Sequence, residues 1–189
     1  MIHTERLVLR DLQRDDFEAV HAYATDPEVV RYMPWGPNTE AETEAFFDRV
    51  DAMKRADPRA GYELAVVRES DDRLLGAVGL HLDEREMSIA MLGYCYSRAA
   101  WGNGYATEAA FGLLRFGFEE WGLMRVWAGC DPDNAGSIRV LQKLGMSQEG
   151  RLRQDTLIDG EWRDTLIFGV LRDEWSAGSG VPREDGSGS

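Results

Sequence analysis

The run Tyr94-Cys95-Tyr96-Ser97-Arg98-Ala99-Ala100-Trp101-Gly102-Asn103-Gly104-Tyr105-Ala106-Thr107-Glu108 changes character twice. It enters as an aromatic, strand-like segment, passes through a glycine-paired turn and leaves as a helix. A strand-to-helix turn stripped of side chains exposes backbone N–H groups at a helix start. Those donors, with the positive end of the helix dipole, make a ready anion site, usually for phosphate. Gly102 and Gly104 supply the backbone freedom and close approach that such a cradle needs. A tight glycine loop with nothing bound fits the same residues, and the segment alone leaves both readings open.

Upstream, Arg6-Leu7-Val8-Leu9-Arg10 alternates like a first strand, and Asp15-Asp16 open a helical stretch through Ala24. Asp26-Pro27 restarts helix to about Met33, and Met33-Pro34-Trp35-Gly36-Pro37 forms a rigid aromatic turn. Thr39 to Ala56 reads as a helix, with Thr39 and Glu42 spaced as a capping box. Tyr62 to Val67 and Leu74 to Leu82 read as strands split by Ser70-Asp71-Asp72, and Met87 to Ser97 as the strand that runs into the glycine turn.

Downstream, a helix extends to about Trp121 with a polar stripe at Glu108, Gly112, Arg115 and Glu119, and is apolar elsewhere. Such a helix packs across a sheet. Val126 to Cys130 is a short strand, and Asp133-Asn134 start a helix that ends at the C-cap glycine Gly145. Strands around Gly150–Leu157 and Trp162–Leu171 flank Ile158-Asp159-Gly160, where Asp-Gly signals a hairpin. The elements form a mixed α/β series without repeats, in one domain over residues 1–175. Gly, Ser and Pro dominate residues 176–189, which read as a disordered tail.

A chain of 189 residues that is 43% hydrophobic, with six Trp, six Tyr and seven Phe, can bury a proper core. No apolar run approaches the roughly 20 residues of a membrane span, and the N-terminus lacks a signal-peptide pattern. Cys95 and Cys130 fall in apolar strand-like segments, which fits buried thiols in a reducing, cytoplasmic compartment. Acidic residues outnumber basic ones 34 to 21, for a formal charge of −13. Nucleic acid and anionic membranes are poor partners for that field, since their phosphates require cations, whereas an amine-bearing molecule suits it. His3, His21 and His81 are scattered without ligand spacing, so no metal site is expected.

Two motifs stand in order: Trp101-Gly102-Asn103-Gly104-Tyr105-Ala106, then Asn134-Ala135-Gly136-Ser137 with Leu141-Gln142-Lys143-Leu144-Gly145-Met146 and Glu149-Gly150. With the order of elements they resemble the GCN5-related N-acetyltransferases (GNAT), and within them the RimJ/RimL-like branch, over roughly residues 4 to 172. The first motif carries Trp101 where the family usually has Gln or Arg, a form common in that branch. A dinucleotide-binding reading fails because Thr107 occupies the third glycine position, and a phosphate-loop reading because no Gly-Lys-Ser/Thr follows.

The resemblance implies an α+β fold, a central mixed and largely antiparallel sheet flanked by helices, and acetyl-CoA as cosubstrate. It implies that pantetheine pairs like an added strand at Cys95, Tyr96 and Ser97. The same strand would aim a backbone N–H at the thioester oxygen. The pyrophosphate would rest on the turn of Trp101, Gly102, Asn103, Gly104, Tyr105, Ala106 and Thr107, with Asn134 and Lys143 also beside the cofactor. The tyrosine that often protonates the departing thiolate is Leu141 here, so the resemblance passes that role to Ser137, with Asn134 as its neighbour in catalysis. Plain capping roles fit Ser137 and Asn134 as well.

The base is unassigned. Met91-Leu92 replace the central-strand glutamate of relatives, and the late-strand position of the branch is Thr156. Asp155, Glu84 and Glu86 are the remaining candidates, and positioning alone, with water taking the proton, is a further route. Tyr32, Trp35 and Asp155 are expected to wall the acceptor site. The expected activity is acetyl transfer to a protein N-terminus or small-molecule amine, by direct attack in a ternary complex of a monomer or homodimer. A non-catalytic acyl-CoA-binding module that keeps the fold is the other reading.

Overall fold

The computed structural model describes residues 1–83 and 86–178. In chain order the strands are β1 (Ile2–His3), β2 (Leu7–Asp11), β3 (Gly61–Arg68), β4 (Arg73–Leu82), β5 (Ile89–Tyr96), β6 (Arg125–Cys130), β7 (Ser147–Ile158) and β8 (Glu161–Leu171). The helices are α1 (Phe17–Ala24), α2 (Pro27–Val30), α3 (Glu40–Arg55), α4 (Tyr105–Glu119), α5 (Ala135–Lys143) and α6 (Arg172–Gly178). All eight strands join one sheet in the order β1-β2-β3-β4-β5-β6-β8-β7. Every neighbouring pair is antiparallel except β5 and β6, which α4 connects as a crossover. The expected mixed, largely antiparallel sheet flanked by helices is what the chain forms.

Both faces of the sheet are covered, which explains why β3 reads as a continuous apolar run. Its alternate residues serve different cores: Leu64 and Val66 pack beneath α4, whereas Ala65 and Val67 pack under α1 and α3 with Val20, Tyr23, Phe47 and Val50. Local signals start the helices where the sequence places them. Thr39 Oγ1 accepts from the Glu42 N–H, and Glu42 Oε2 accepts the Thr39 N–H at 2.7 Å, the reciprocal box that opens α3. Asp159-Gly160 closes the β7–β8 hairpin, with Ile158 facing Glu161.

The structure adds to the sequence reading at three places. First, β1 and Thr4 cover the first half of the polar stripe of α4. Glu108 accepts the Thr4 hydroxyl at 2.6 Å and the Arg6 N–H at 2.8 Å, and Gly112 leaves room for Ile2 and Thr4. Only Arg115 and Glu119 of the stripe are exposed. Second, β1 itself escapes sequence reading, since two residues carry no periodicity. Third, α6 runs to Gly178, past the Ser176 boundary at which composition starts the tail. Trp175 anchors it, buried against Phe111 and Phe118 at 4.9 and 5.6 Å between ring centres. The remainder of the supposed tail, 179–189, lies outside the described residues. Among the described residues no helix is long and apolar enough to cross a membrane.

Candidate active site

The parallel pair β5–β6 holds for only three residues, Ile89–Met91 against Arg125–Trp127, and then parts. On its other side β5 stays paired with β4 to the end, Gly76 facing Tyr96, and the Ser97 N–H continues the ladder onto the Leu75 carbonyl. In an antiparallel ladder alternate residues turn their polar main chain to opposite neighbours. Ser97 and Cys95 therefore face β4, and Leu92, Tyr94 and Tyr96 face the gap. The expected edge is shifted by one residue: of Cys95, Tyr96 and Ser97, only Tyr96 presents its main chain to the opening. The register explains this, and sequence periodicity does not contain it.

The glycine turn stands at the mouth of the gap. Gly102 and Gly104 have φ of +75° and +79°, and Gly104 is the N-cap of α4. The first N–H groups of α4, at Tyr105, Ala106 and Thr107, have no intrahelical partner by helix geometry. Trp101 fastens the turn to the strand end, its indole N–H donating to the Tyr96 carbonyl at 3.0 Å, and the Asn103 amide donates to the Trp101 carbonyl at 2.8 Å. Sequence reading missed a further member, Arg6. Its guanidinium donates to the Asn103 carbonyl at 3.1 Å, pairs with Glu108 at 2.7 Å and lies 4.6 Å from the Tyr105 ring centre. A cation thus borders the turn although Trp101 stands where the family usually has Gln or Arg.

On the same face, α5 delivers Ser137. Asn134 Oδ1 accepts the Ser137 N–H at 3.0 Å and caps the helix. The Ser137 hydroxyl lies 2.8 Å from the Tyr94 hydroxyl, joining α5 to β5 across the opening. Burial pushes the Tyr94 phenol well above its ordinary range, and pushes the nearby Cys130 thiol up to about 11 against the opposing hydrogen bond with Ser137. Both groups are neutral at physiological pH. The Tyr96 hydroxyl is buried without a partner among the described residues.

On the opposite face of the sheet, α1, α3 and the turn between α2 and α3 enclose a cavity of about 700 Å³. Its walls include Tyr23, Met33, Trp35, Phe46 and Met53, and its floor Met91, Gly93 and Cys95. Burial raises the Cys95 thiol to about 12. At one side Glu63 Oε2 and His81 Nε2 form an ion pair at 2.9 Å, with side-chain exposures of 12% and 31%. Burial disfavours the charged ring, but the hydrogen bond and charge of Glu63 outweigh it and hold His81 above its ordinary value of 6.5. Neither residue stands out in the sequence; a lone Glu inside an apolar strand is the only signal.

The other expected site residues scatter. Trp35 lines the cavity, whereas Tyr32 does not and is stacked by Arg31, 5.4 Å from its ring centre. Lys143 ends α5, about 1.5 Å per residue and two turns beyond Ser137, and is exposed. A register shift between Leu152 and Thr156, with Gln154 at φ +51°, kinks β7. It leaves Asp155 exposed with the Thr156 hydroxyl at 3.4 Å, and Thr156 itself against the Thr165 hydroxyl at 3.2 Å. Neither belongs to the cavity walls. Glu86 accepts from Ser88 in an exposed turn, and Glu84 lies outside the described residues.

The site thus combines a sheet parted beside a glycine turn with a cavity on the opposite face of the same strand. The family model described as acetyltransferase (GNAT) domain matches residues 6–147. The uncharacterized N-acetyltransferase YnaD of Bacillus subtilis is 31% identical over 175 residues, 93% of this chain and 99% of its own. A GNAT-family acetyltransferase of Bacillus anthracis superposes with a TM-score of 0.80 at 31% identity, covering 91% of this chain and 98% of its own. Spermidine N-acetyltransferase of Vibrio cholerae, in complex with CoA and spermine, shares the fold at a TM-score of 0.78 and 20% identity, over 90% and 98% of the two chains. The chain belongs to the GNAT family of acetyltransferases and is an N-acetyltransferase.

Proposed function

We propose that the protein transfers the acetyl group of acetyl-CoA to a primary amine by direct attack in a ternary complex. The observation that carries this is the parting of β5 from β6 beside the glycine turn, with a cavity on the other face of the sheet floored by the same strand β5. The residues fit the cosubstrate: an open main-chain edge for an amide-bearing arm, and a left-handed glycine turn with free helix N–H groups for a pyrophosphate. Acetyl-CoA supplies the acetyl group already activated as a thioester.

This chain's residues divide the remaining work. Leu92, Tyr94 and Tyr96 offer the edge; Trp101, Gly102, Asn103, Gly104 and the amides of Tyr105, Ala106 and Thr107 hold phosphate; Arg6 adds the charge. Ser137 Oγ, backed by the Tyr94 hydroxyl at 2.8 Å, keeps a proton at the wall of the gap, and Asn134 fixes the helix turn that carries it. Trp35 walls the acceptor side. The Trp101-to-Glu108 motif supports the RimJ/RimL-like branch, and with it a protein N-terminus as acceptor; a small-molecule amine such as the spermine of the Vibrio cholerae complex is the other member of the class. The formal charge of −13 and the free thiols Cys95 and Cys130 support a cytoplasmic protein with neither nucleic acid nor anionic membrane as partner, acting as a monomer or homodimer whose assembly is a separate question for sizing in solution. The catalytic domain, read from the sequence as residues 1–175, extends with α6 to Gly178.

Thermal unfolding with acetyl-CoA, CoA, ATP and NAD tests the cosubstrate. At a hundredfold excess over Kd, a ligand of the folded state adds about 2.7 kcal/mol. In a chain of this size that is a rise of roughly 5–11 °C. Both CoA species are expected to give it and NAD none; no shift with either CoA species sinks the reading. Arg6→Ala is expected to raise the KM for acetyl-CoA about tenfold, the size of one charge-assisted contact, with kcat little changed. An unaltered KM in steady-state kinetics would make Arg6 a fold residue only.

A further inference from the structure

We infer that Glu63 and His81 together are the proton acceptor for the attacking amine, which approaches over Gly93. The inference rests on the acetyltransferase reading and supplies the base that reading lacks. Strand register carries it. Glu63 of β3 faces Gly79 of β4, and Gly79 faces Gly93 of β5, so the three positions form one row across the sheet toward the gap. A Cβ at Gly79 would stand 2.7 Å from His81 Nε2 and closer still to Glu63 Oε2. The polar tips of the pair therefore occupy the space above Gly79. A Cβ at Gly93 would meet nothing within 4 Å, so the next place in the row is open. Adjacent strands lie about 4.8 Å apart, and a nitrogen seated over Gly93 is thus one water away from the pair and directly beside the gap.

The protons balance as follows. An ammonium acceptor gives one proton to the pair, which passes from carboxylate–imidazole to carboxylate–imidazolium. The freed lone pair forms the N–C bond to the acetyl carbon, the C–S bond breaks, and its electron pair leaves on sulfur. The second proton of the nitrogen goes to that thiolate, on the side where Tyr94 and Ser137 stand, and the pair returns its own proton to water.

Titratable and charged groups facing the pair across the cavity are Tyr23 of α1, Glu42 and Arg49 of α3, and Cys95 of β5. Burial holds the Tyr23 phenol well up and the Cys95 thiol at about 12, so both stay neutral near pH 7. Hydrogen bonds from Thr39 lower Glu42, which stays ionised. Of these facing groups, the pair is the one that takes up the amine's proton in the proposed step. Because His81 is raised above 6.5, the acceptor form grows in as pH climbs through that raised value.

The test combines Glu63→Gln and His81→Gln with a pH series on the full chain, using acetyl-CoA and a panel of primary amines and N-terminal peptides. At pH 7 both variants are expected to lose about 100-fold in kcat/KM, with the deficit narrowing toward pH 10 as the amine itself becomes neutral. Proton NMR of the free protein should show one histidine, absent in His81→Gln, titrating above 6.5, and titrating lower in Glu63→Gln. Stabilisation by acetyl-CoA should persist in both variants, which reports folding and the donor site separately. Variants that keep wild-type rates and pH profile overturn the proposal, as does a uniform loss independent of pH. A wild type that binds acetyl-CoA yet acetylates no amine overturns the enzyme reading, and this inference with it.

Discussion

Gly93→Val is expected to lower acetyl transfer at least about 100-fold while leaving the fold intact. Displacing a reactant by about 1 Å from its productive position costs on that order, and the valine methyls would occupy the lane between Gly79 and the gap. Destabilisation is not the expected cause. A Cβ at this position meets nothing within 4 Å, and a β-branched residue suits an extended strand. The melting temperature should be unchanged or higher, and the shift with acetyl-CoA preserved, since the valine points to the acceptor face. Steady-state kinetics beside thermal unfolding separate these quantities. Near-normal turnover in the valine variant would show that the amine does not travel over Gly93.

Gly76→Ala is expected to act in the opposite sense, through stability. The added Cβ would stand 2.8 Å from Tyr96 Cα and ring Cδ1, and closer still to the Cys95 carbonyl oxygen. Two of these neighbours are backbone, so the contact is relieved only by opening the β4–β5 ladder. Overpacking of this kind costs about 3 kcal/mol, a fall of roughly 6–12 °C in melting temperature for a domain of this length. The damage falls where the Tyr96 carbonyl accepts the Trp101 indole, so the affinity for acetyl-CoA should drop as well. Urea denaturation gives the first quantity and titration the second. A loss below about 0.5 kcal/mol, the range of an ordinary surface change, would mean the strands yield more easily than their register indicates.

What was legible in the sequence is local. The Thr39–Glu42 box, the Asn134 cap, the Asp159-Gly160 turn and the Gly102–Gly104 turn each depend on residues within a few positions of one another, and each stands where the sequence puts it. The Glu63–His81 pair depends on register. Glu63 and His81 meet only because Gly61 pairs with His81 and Glu63 with Gly79, an alignment that no window of sequence contains. The same holds for Tyr94 with Ser137 and for Arg6 with Asn103, pairs brought together from 43 and 97 residues apart. One clue was available. Gly79 and Gly93 interrupt strands, and glycine inside a strand marks a place where something must come close.

The two hydrophobic cores on opposite faces of the sheet have a kinetic consequence. In the proposed ternary complex, donor and acceptor reach the reaction point from opposite faces, with a single layer of strands between them. Neither bound molecule blocks the other's door, and neither depends on the other to complete its own walls. Sterically, the order of arrival is free, and each product need only vacate the side by which its parent entered. On the same proposal the cavity built from α1, α3 and the turn before α3 is free to change its walls for a new acceptor without disturbing the glycine turn.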